Sequence, residues 1–261
     1  MPELPEVEAA ARRLRPSVVG RRIVTVRALH PSTARALPPE AAARIVGRRV
    51  EELVRRGKHQ LLRLDDGSVV HAHFRMAGDW HVGPSAEAPP RHARAALDLD
   101  DGHTVTLVDG RALGTLVWHP SLEAALPALG PDAIEAAFDA AHLAKALRGR
   151  RGPVKPALLD QRLVAGIGNI YAAEALWEAR VDPRVVAGRL GPLRLARVVD
   201  GVRAVLARAL ADPGRYQDDE ALDRLQVYGR EGAPCPRCGT PVRRIVQAGR
   251  STYFCAGCQR R

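Results

Sequence analysis

The chain begins with the sequence MPELPEVE, residues 1–8. Pro5 suits the first position of a helix, and Glu6 lies where the helix dipole stabilises a carboxylate, so a helix is predicted to start at once. Removal of the initiator methionine would leave Pro2 with a secondary amine beside the carboxylate of Glu3. An α-amino group titrates near ~8, so near neutral pH it carries more free base than an exposed lysine and can form a Schiff base with a sugar carbon. The simpler alternative is a capped helix at a frayed terminus.

The composition limits the class of protein. The chain has 261 residues, of which 46% are hydrophobic, so it can bury more than one core. It contains no apolar run of about 18 residues and no secretory signal pattern, so we expect a soluble protein that is not exported. The net charge of +11 favours a polyanionic partner, with nucleic acid ahead of an anionic membrane surface.

The pattern of residues 20–118 is mostly that of strands. Asp66-Gly67 and Asp101-Gly102 are typical of hairpin turns, and an exposed loop is predicted at residues 84–94. Strands are expected at residues 23–26, 61–64, 69–71, 97–99 and 104–108. Together with the initial helix, this half of the chain predicts a β-sandwich.

Helical periodicity replaces the alternating pattern after Pro120. Helices are predicted at residues 132–147, 156–164, 169–179 and 192–210. A domain boundary is therefore expected between the strand-rich half and this helical part.

The cysteines predict a metal site. They form two C-x2-C pairs, which is the spacing of a tetrahedral zinc site with four thiolates. Two disulfides are the alternative, and the lack of an export signal disfavours them. Because four thiolates leave no open coordination position, we expect one structural zinc ion. The predicted ligands are Cys235, Cys238, Cys255 and Cys258.

The segment between the two cysteine pairs predicts a β-hairpin. Its strands are expected at residues 242–247 and 251–254, with Ala248-Gly249-Arg250 at the tip. A hairpin fixed by zinc can carry the guanidinium of Arg250 into a nucleic-acid groove.

Residues 163–171, with the sequence LVAGIGNIY, connect two predicted helices. The glycines permit a tight double turn, and Asn169 can cap the helix that follows. Backbone N–H groups at that helix start can hold a phosphate. An ordinary connecting loop is the alternative.

Taken together, these segments resemble the formamidopyrimidine-DNA glycosylase / endonuclease VIII family, and more closely its formamidopyrimidine branch. Leu4 supports that branch, because the endonuclease VIII branch usually has glycine there. The resemblance extends from Pro2 to Arg260. Its further motifs are GKHQ at residues 57–60, HFRMAG at 73–78, DGRALG at 109–114 and the helix-two-turn-helix element formed by 155–161 and 163–171.

The resemblance implies an α+β protein of several domains. These would be an N-terminal helix with a catalytic β-sandwich at residues 1–125, a helix-two-turn-helix domain at 126–225 and a β-hairpin zinc finger at 226–261. The expected partner is double-stranded DNA that contains damaged bases or abasic sites, and no membrane. The protein would be a monomer in the cytoplasm, associated with a bacterial-type nucleoid.

The resemblance also implies a bifunctional DNA glycosylase and abasic-site lyase of base excision repair. Pro2 would attack C1′ of an everted nucleotide and release the base through an iminium. Glu3 would transfer protons at the sugar, after which the strand would be cleaved by β,δ-elimination. Lys58 and Glu6 complete the predicted catalytic set.

Other residues would bind the DNA. Met76 is unbranched and polarisable, which suits a side chain that fills the space left by an everted nucleotide. Leu113 stands where the family usually has phenylalanine, so it would wedge into the duplex but stack less well. The predicted DNA-binding residues are Met76, Arg111, Leu113, Lys155, Asn169 and Arg250.

The preferred lesion is less defined. The formamidopyrimidine branch usually has a longer lesion-covering loop after its long helix, whereas residues 211–220 are short and acidic here. This difference favours ring-opened formamidopyrimidines over 8-oxoguanine, and oxidised pyrimidines or other bulky lesions are alternatives. A DNA-damage binder without catalysis and a zinc-ribbon interaction protein are the competing classes of function.

Overall fold

The computed structural model describes residues 1–212 and 224–260, which form two compact units. The first unit comprises Met1–Pro2 and Glu6–Pro127, and the second comprises Glu3–Pro5 and the chain from Ala128 onward. Three residues from the start of the chain thus belong to the second unit.

The first unit contains two antiparallel four-stranded sheets, with the strand orders β1-β6-β7-β5 and β2-β3-β4-β8. Its elements are α1 (Leu4–Val18), β1 (Ile23–Ala28), α2 (Pro31–Ala36), α3 (Pro39–Ile45), β2 (Val50–Arg56), β3 (His59–Leu64), β4 (Val69–His73), β5 (Asp79–Pro84), β6 (Ala93–Leu99), β7 (His103–Val108), β8 (Thr115–His119) and α4 (Leu122–Ala125).

A single apolar core joins the two sheets and α1. Val7, Ala10 and Leu14 of α1 are buried in the same cluster as Leu62 of β3 and Leu97 of β6. Burial of each large aliphatic side chain contributes roughly 1.5–3 kcal/mol to the stability of the fold. Because only one face of α1 contacts the core, its apolar residues form one stripe. The predicted N-terminal helix with a β-sandwich is confirmed.

The strand-like pattern expected across residues 20–118 is interrupted by α2 and α3. Each of these helices has proline at its first position, Pro31 and Pro39. Proline is preorganised for a helix start because its φ is fixed and its missing N–H would have no partner there. Helices this short show no clear apolar period, so the pattern did not predict them.

The second unit is helical, with one β-hairpin. Its elements are α5 (Ala140–Leu147), α6 (Val154–Leu158), α7 (Asn169–Glu178), a 3₁₀ turn (Ala187–Arg189), α8 (Pro192–Ala211), β9 (Val242–Gln247) and β10 (Arg250–Cys255). Leucine, valine and alanine side chains of α5 to α8 share one buried cluster. Within the described ranges, no helix has both the length and the apolar character needed to cross a bilayer.

Two predicted helices of this unit are shorter than expected. The helix predicted at 132–147 begins only at Ala140, because the Asp139 carboxylate accepts the N–H of His142 at 2.7 Å and caps the helix there. The helix predicted at 156–164 is Val154–Leu158. It is followed by a turn in which the Asp160 carboxylate accepts the backbone N–H of Arg162 at 3.1 Å.

Candidate active site and nucleic-acid interface

The predicted metal ligands lie together in the second unit. The Sγ atoms of the four cysteines are within 4.8 Å of one another, and all four are free thiols. The Sγ atoms of Cys235 and Cys258 are 3.9 Å apart, and those of Cys238 and Cys255 are 3.5 Å apart. A tetrahedron with Zn–S bonds of about 2.3 Å has S···S edges of roughly 3.8 Å, so this donor set fits one structural zinc ion.

The hairpin between the cysteine pairs has a two-residue turn. Ala248 and Gly249 have φ values of 47° and 72°, the left-handed conformation that a type I′ turn requires. Arg250 follows the turn as the first residue of β10, pairs with Gln247 and is exposed. The second strand of the hairpin therefore begins one residue earlier than predicted, and the prediction that Arg250 belongs to the tip is wrong.

Glu3 caps helix α7. One carboxylate oxygen, Oε2, accepts the N–H groups of Gly168 at 2.7 Å and Tyr171 at 3.2 Å, and Oε1 accepts that of Ile170 at 2.9 Å. A Cβ atom on Gly168 would be 2.3 Å from the Glu3 carboxyl carbon, so only glycine fits there. A buried carboxylate is stabilised at this position by the hydrogen bonds and by the helix dipole.

This cap corrects two sequence predictions. The N–H groups at the start of α7 bind the carboxylate of Glu3, so the prediction that they hold a phosphate is wrong. Asn169 is the first residue of α7 and its side chain does not cap the helix. Its Nδ2 donates instead to the backbone oxygen of Ser251 in β10, at 3.0 Å.

Lys155 is buried behind Asn169, with 1% of its surface exposed. Its Nζ donates to Oδ1 of Asn169, to the backbone oxygen of Ser251 at 3.0 Å and to Oγ1 of Thr252 at 2.9 Å. Burial lowers the pKa of Lys155 to about 8, although the carboxylate of Glu3 opposes this shift. The DNA-binding role of Lys155 stays a prediction, and this geometry favours an indirect role through Asn169 and β10.

Glu174 is a buried carboxylate that the sequence did not single out. It is 3% exposed and accepts the backbone N–H groups of Gln226, Val227 and Tyr228, each at 2.9 Å. Burial raises the pKa of this carboxyl, and the three hydrogen bonds oppose the shift. The sequence did carry one signal for it, an acidic residue among the apolar residues of a predicted helix.

Three loops of the first unit leave the same end of the sheet β2-β3-β4-β8. His59 pairs with His73, and His73 pairs with Thr115, so the turn before β3, the loop after β4 and the loop before β8 are neighbours. The structure thus brings together four predicted residues. They are Lys58, Met76, Arg111 and Leu113.

These loops differ in exposure but are each ordered by local hydrogen bonds. Lys58 lies in the turn between β2 and β3 and is 6% exposed, whereas Met76 and Leu113 are 37% and 47% exposed. The buried carboxylate of Asp109 accepts the N–H groups of Arg111 at 2.9 Å and Leu113 at 2.7 Å. Exposed apolar side chains on such constrained loops are suited to insertion into a partner.

Pro2 and Glu6 flank the capping residue in the sequence. Pro2 is half-buried, and the preceding Met1 is 36% exposed. Glu6 is half-buried in the first turn of α1. The carboxylate of Glu8, two residues further on, accepts a hydrogen bond from the guanidinium of Arg55 at 2.8 Å.

A row of histidines next to Lys58 is a further feature that sequence reasoning missed. His59 Nδ1 is 2.8 Å from His71 Nε2, and the ring of His59 is 4.8 Å from that of His73. Burial lowers their pKa values to about 4 for His59 and about 3 for His71 and His73, and Arg75 adds to each shift. The His-x-His spacing at 71 and 73, which places both rings on one face of a strand, was the available signal.

Comparison with known proteins agrees with this arrangement. The profile of the formamidopyrimidine-DNA glycosylase N-terminal domain matches residues 1–116, that of the H2TH domain of the same enzyme matches 129–219, and that of a zinc finger found in FPG and IleRS matches 232–261.

Whole-length relatives are similar throughout. The chain is 42% identical to the formamidopyrimidine-DNA glycosylase of Rhizorhabdus wittichii, with complete coverage of both chains. It is 30% identical to the Lactococcus lactis enzyme in a crystal structure with DNA that contains an abasic site, with a TM-score of 0.91 and coverage of 99% of this chain and 100% of that one. A second Lactococcus lactis structure, with DNA that contains FAPY-dG, has the same identity, TM-score and coverage.

The matching domains, their order and the identity over the full length lead to one conclusion: the chain belongs to the formamidopyrimidine-DNA glycosylase family.

Proposed function

We propose that the protein is a bifunctional DNA glycosylase and abasic-site lyase that acts on double-stranded DNA. The observation that carries the proposal is the burial of Glu3 against the start of α7. Its hydrogen bonds to Gly168, Ile170 and Tyr171 fix the backbone at the residue that follows Pro2. A nucleophile gains from being held in this way because orientation lowers the entropic part of the barrier.

The chemistry begins with removal of Met1, whose exposure makes it accessible to processing. The Pro2 nitrogen then attacks C1′ of the everted nucleotide, the bond from C1′ to the base breaks, and the base leaves with the bonding electrons and takes up a proton. The bond from C1′ to O4′ of the sugar ring then breaks, O4′ takes up a proton, and the lone pair of the Pro2 nitrogen forms an iminium. This iminium makes the neighbouring C2′ proton acidic. Loss of that proton and expulsion of the 3′ phosphate cleave the strand, with Glu3 as the proposed proton carrier and Lys58 beside the site of elimination.

DNA binding is assigned to loops and to the hairpin. Met76, Arg111 and Leu113 extend from neighbouring loops of the first unit and would fill the space of the everted nucleotide. Asn169 and Arg250 would contact the phosphate backbone, with Lys155 holding Asn169 in place. The proposed division into domains at residues 1–125, 126–225 and 226–261 separates the catalytic, helix-two-turn-helix and zinc-finger parts.

Ring-opened formamidopyrimidines are the proposed substrates. This follows the family and the structure of a relative with FAPY-dG in its DNA. The short acidic connection at residues 211–220 weakens the case for 8-oxoguanine, and its residues 213–220 lie outside the described residues. Oxidised pyrimidines are the second candidate class.

Borohydride trapping tests the proposal. The protein is incubated with a duplex that contains a formamidopyrimidine or an abasic site, in the presence of borohydride, and the adduct is counted by mass spectrometry. We expect an adduct with protein that has lost Met1. Pro2→Gly should reduce its yield by more than tenfold, whereas Pro5→Ala, at the other proline of the same segment, should leave a clear adduct. Tight binding with no adduct would indicate a damage binder without catalysis.

A further inference from the structure

A cavity of about 560 Å³ lies at the zinc end of the second unit. Five of the residues that line it are arginines, and among its described lining residues none is acidic. The lining consists of Arg180, Arg194, Arg197, Arg237, Cys238, Gly257, Cys258 and Arg260. This arginine cavity takes no part in the chemistry proposed above.

One of these arginines occupies a strained backbone position. Helix α7 ends with N–H bonds from Arg180 to the oxygen of Trp177, at 3.1 Å, and from Val181 to that of Leu176, at 3.0 Å. This is the pattern in which glycine usually follows the helix, because the residue there is left-handed. Arg180 has a φ of 56°. A long charged side chain at a position where glycine is favoured is a candidate for a functional role.

The other arginines are directed to the cavity by separate elements. Arg194 and Arg197 are three residues apart on α8 and therefore lie on one face of it. Arg237 stacks over the ring of Trp177 at 3.9 Å and donates to the Trp177 backbone oxygen at 2.9 Å. It also lies 3.8 Å from Glu178, a weak ion pair that leaves most of its charge uncompensated.

The chemistry of the cavity selects phosphate groups. Four thiolates around a zinc ion carry two net negative charges, fewer than the positive charges of the arginines. The lining offers no aromatic face for a base, because the ring of Trp177 is covered by Arg237. Arg180, Arg197 and Arg260 are exposed, which suits a continuous chain of phosphates better than an enclosed small anion.

We propose that the arginine cavity is a second DNA contact, which holds backbone phosphates of the bound duplex at a distance from the lesion. The Sγ atom of Cys255 lies within 4.8 Å of those of Cys238 and Cys258, which line the cavity. Arg250 and Cys255 are the first and last residues of β10, so their Cα atoms are roughly 16 Å apart. That separation corresponds to about five base pairs of duplex. The inference rests on DNA binding as proposed above but not on the Pro2 chemistry.

The salt dependence of binding to undamaged DNA tests this contact without catalysis. The double variant Arg180→Gly with Arg197→Gln removes two charges, and glycine also relieves the strained position. Kd is measured against salt concentration for a duplex of about 30 base pairs. Each lost phosphate contact lowers the slope of log K against log salt by about 0.9, so we expect the variant to lose about 1–2 of the slope. Affinity at low salt should fall on the order of tenfold, with Tm unchanged or raised.

Two controls separate this from other causes. Arg35→Gln with Arg91→Gln removes the same charge from exposed positions of the first unit, and it should leave the slope unchanged. An equal fall of slope in this control, or none in the cavity variant, would overturn the proposal. Zinc content is measured in parallel, and its loss in the cavity variant would show that the arginines serve the metal centre instead. If tripolyphosphate binds the unaltered protein but not the cavity variant, and the slope for duplex DNA is the same for both, the cavity binds a free anion and not DNA phosphates.

Discussion

Two sets of functional side chains, one from each unit, are held in opposite ways. In the second unit, Glu3, Lys155 and Glu174 are at most 3% exposed, and each makes at least three hydrogen bonds to protein groups. In the first unit, Met76 and Leu113 are 37% and 47% exposed on short loops.

This difference separates stability from recognition. A buried charge with all its partners in place is tolerated, but removal of one partner leaves the others unsatisfied at a cost of several kcal/mol. An exposed side chain on a loop costs little to replace, so it can change with the substrate. We therefore expect substitutions of these buried charged residues of the second unit to act mainly on stability, and those of Met76 and Leu113 mainly on DNA binding.

The largest effect is expected at the zinc site. Cys255→Ser removes a ligand that is fully buried. Structural zinc contributes on the order of 10 kcal/mol, so the hairpin that carries Arg250 should lose its fold. Metal analysis should show no bound zinc, and DNA affinity should fall with it. Treatment of the unaltered protein with a chelator should give the same result, and a variant that still binds DNA without zinc would contradict the expectation.

Next in size is the replacement of Lys155 by methionine, which keeps the volume and removes the charge. Asn169, Ser251 and Thr252 would each lose a donor, and the free energy of unfolding should fall by about 3–5 kcal/mol. Lys145→Met is the matched control, because Lys145 is exposed on α5 and should change stability by less than about 0.5 kcal/mol. Denaturant unfolding of both variants measures the difference, and equal stabilities would refute a structural role for Lys155.

The histidines of the first unit predict a dependence of stability on pH. Because the folded protein holds the pKa of His71 at about 3, against 6.5 for the unfolded chain, the unfolded chain binds more protons between these values. The free energy of unfolding should therefore decrease as pH falls from about 6.5 to about 4, by roughly 3 kcal/mol for such a histidine.

His71→Leu should weaken this pH dependence, measured as the urea midpoint between pH 4 and pH 8. His92→Gln, at an exposed loop position, should give the same urea midpoints between pH 4 and pH 8 as the unaltered protein. If both variants follow the same curve, the histidine row is not the cause.

The smallest effect is expected at Ala112, next to Leu113. Ala112 has a φ of 55°, a conformation that glycine adopts without strain. Ala112→Gly should raise the free energy of unfolding by about 0.5–1 kcal/mol, and Ala112→Val should lower it, because a branched side chain is disfavoured there. Calorimetric Tm values of the two variants check the opposite signs.

Local signals were sufficient for much of the fold. The Asp66-Gly67 and Asp101-Gly102 turns connect β3 to β4 and β6 to β7, as predicted, and α8 agrees with its predicted range within one residue. Each of these features depends on residues close in sequence. The spacing of the cysteines likewise identified a zinc site that the sulfur positions confirm.

The contacts that position the candidate site could not be predicted in this way. The bond from Glu3 to Tyr171 joins residues 168 positions apart, and that from Lys155 to Thr252 joins residues 97 apart. Such hydrogen bonds leave no period in the sequence. The phosphate role expected for the start of α7 failed for this reason, since nothing near Asn169 in sequence indicated that a carboxylate from the first residues would bind there.

The assignment of Glu3–Pro5 to the second unit has a consequence for how the protein is made. These residues are synthesised more than 160 residues before the helix that Glu3 caps. The buried carboxylate of Glu3 has no capping partner until α7 has been made, so its place in the second unit is completed late in synthesis. A gene cut between the units would therefore yield a C-terminal fragment whose α7 lacks its capping carboxylate, however complete the rest of that fragment is.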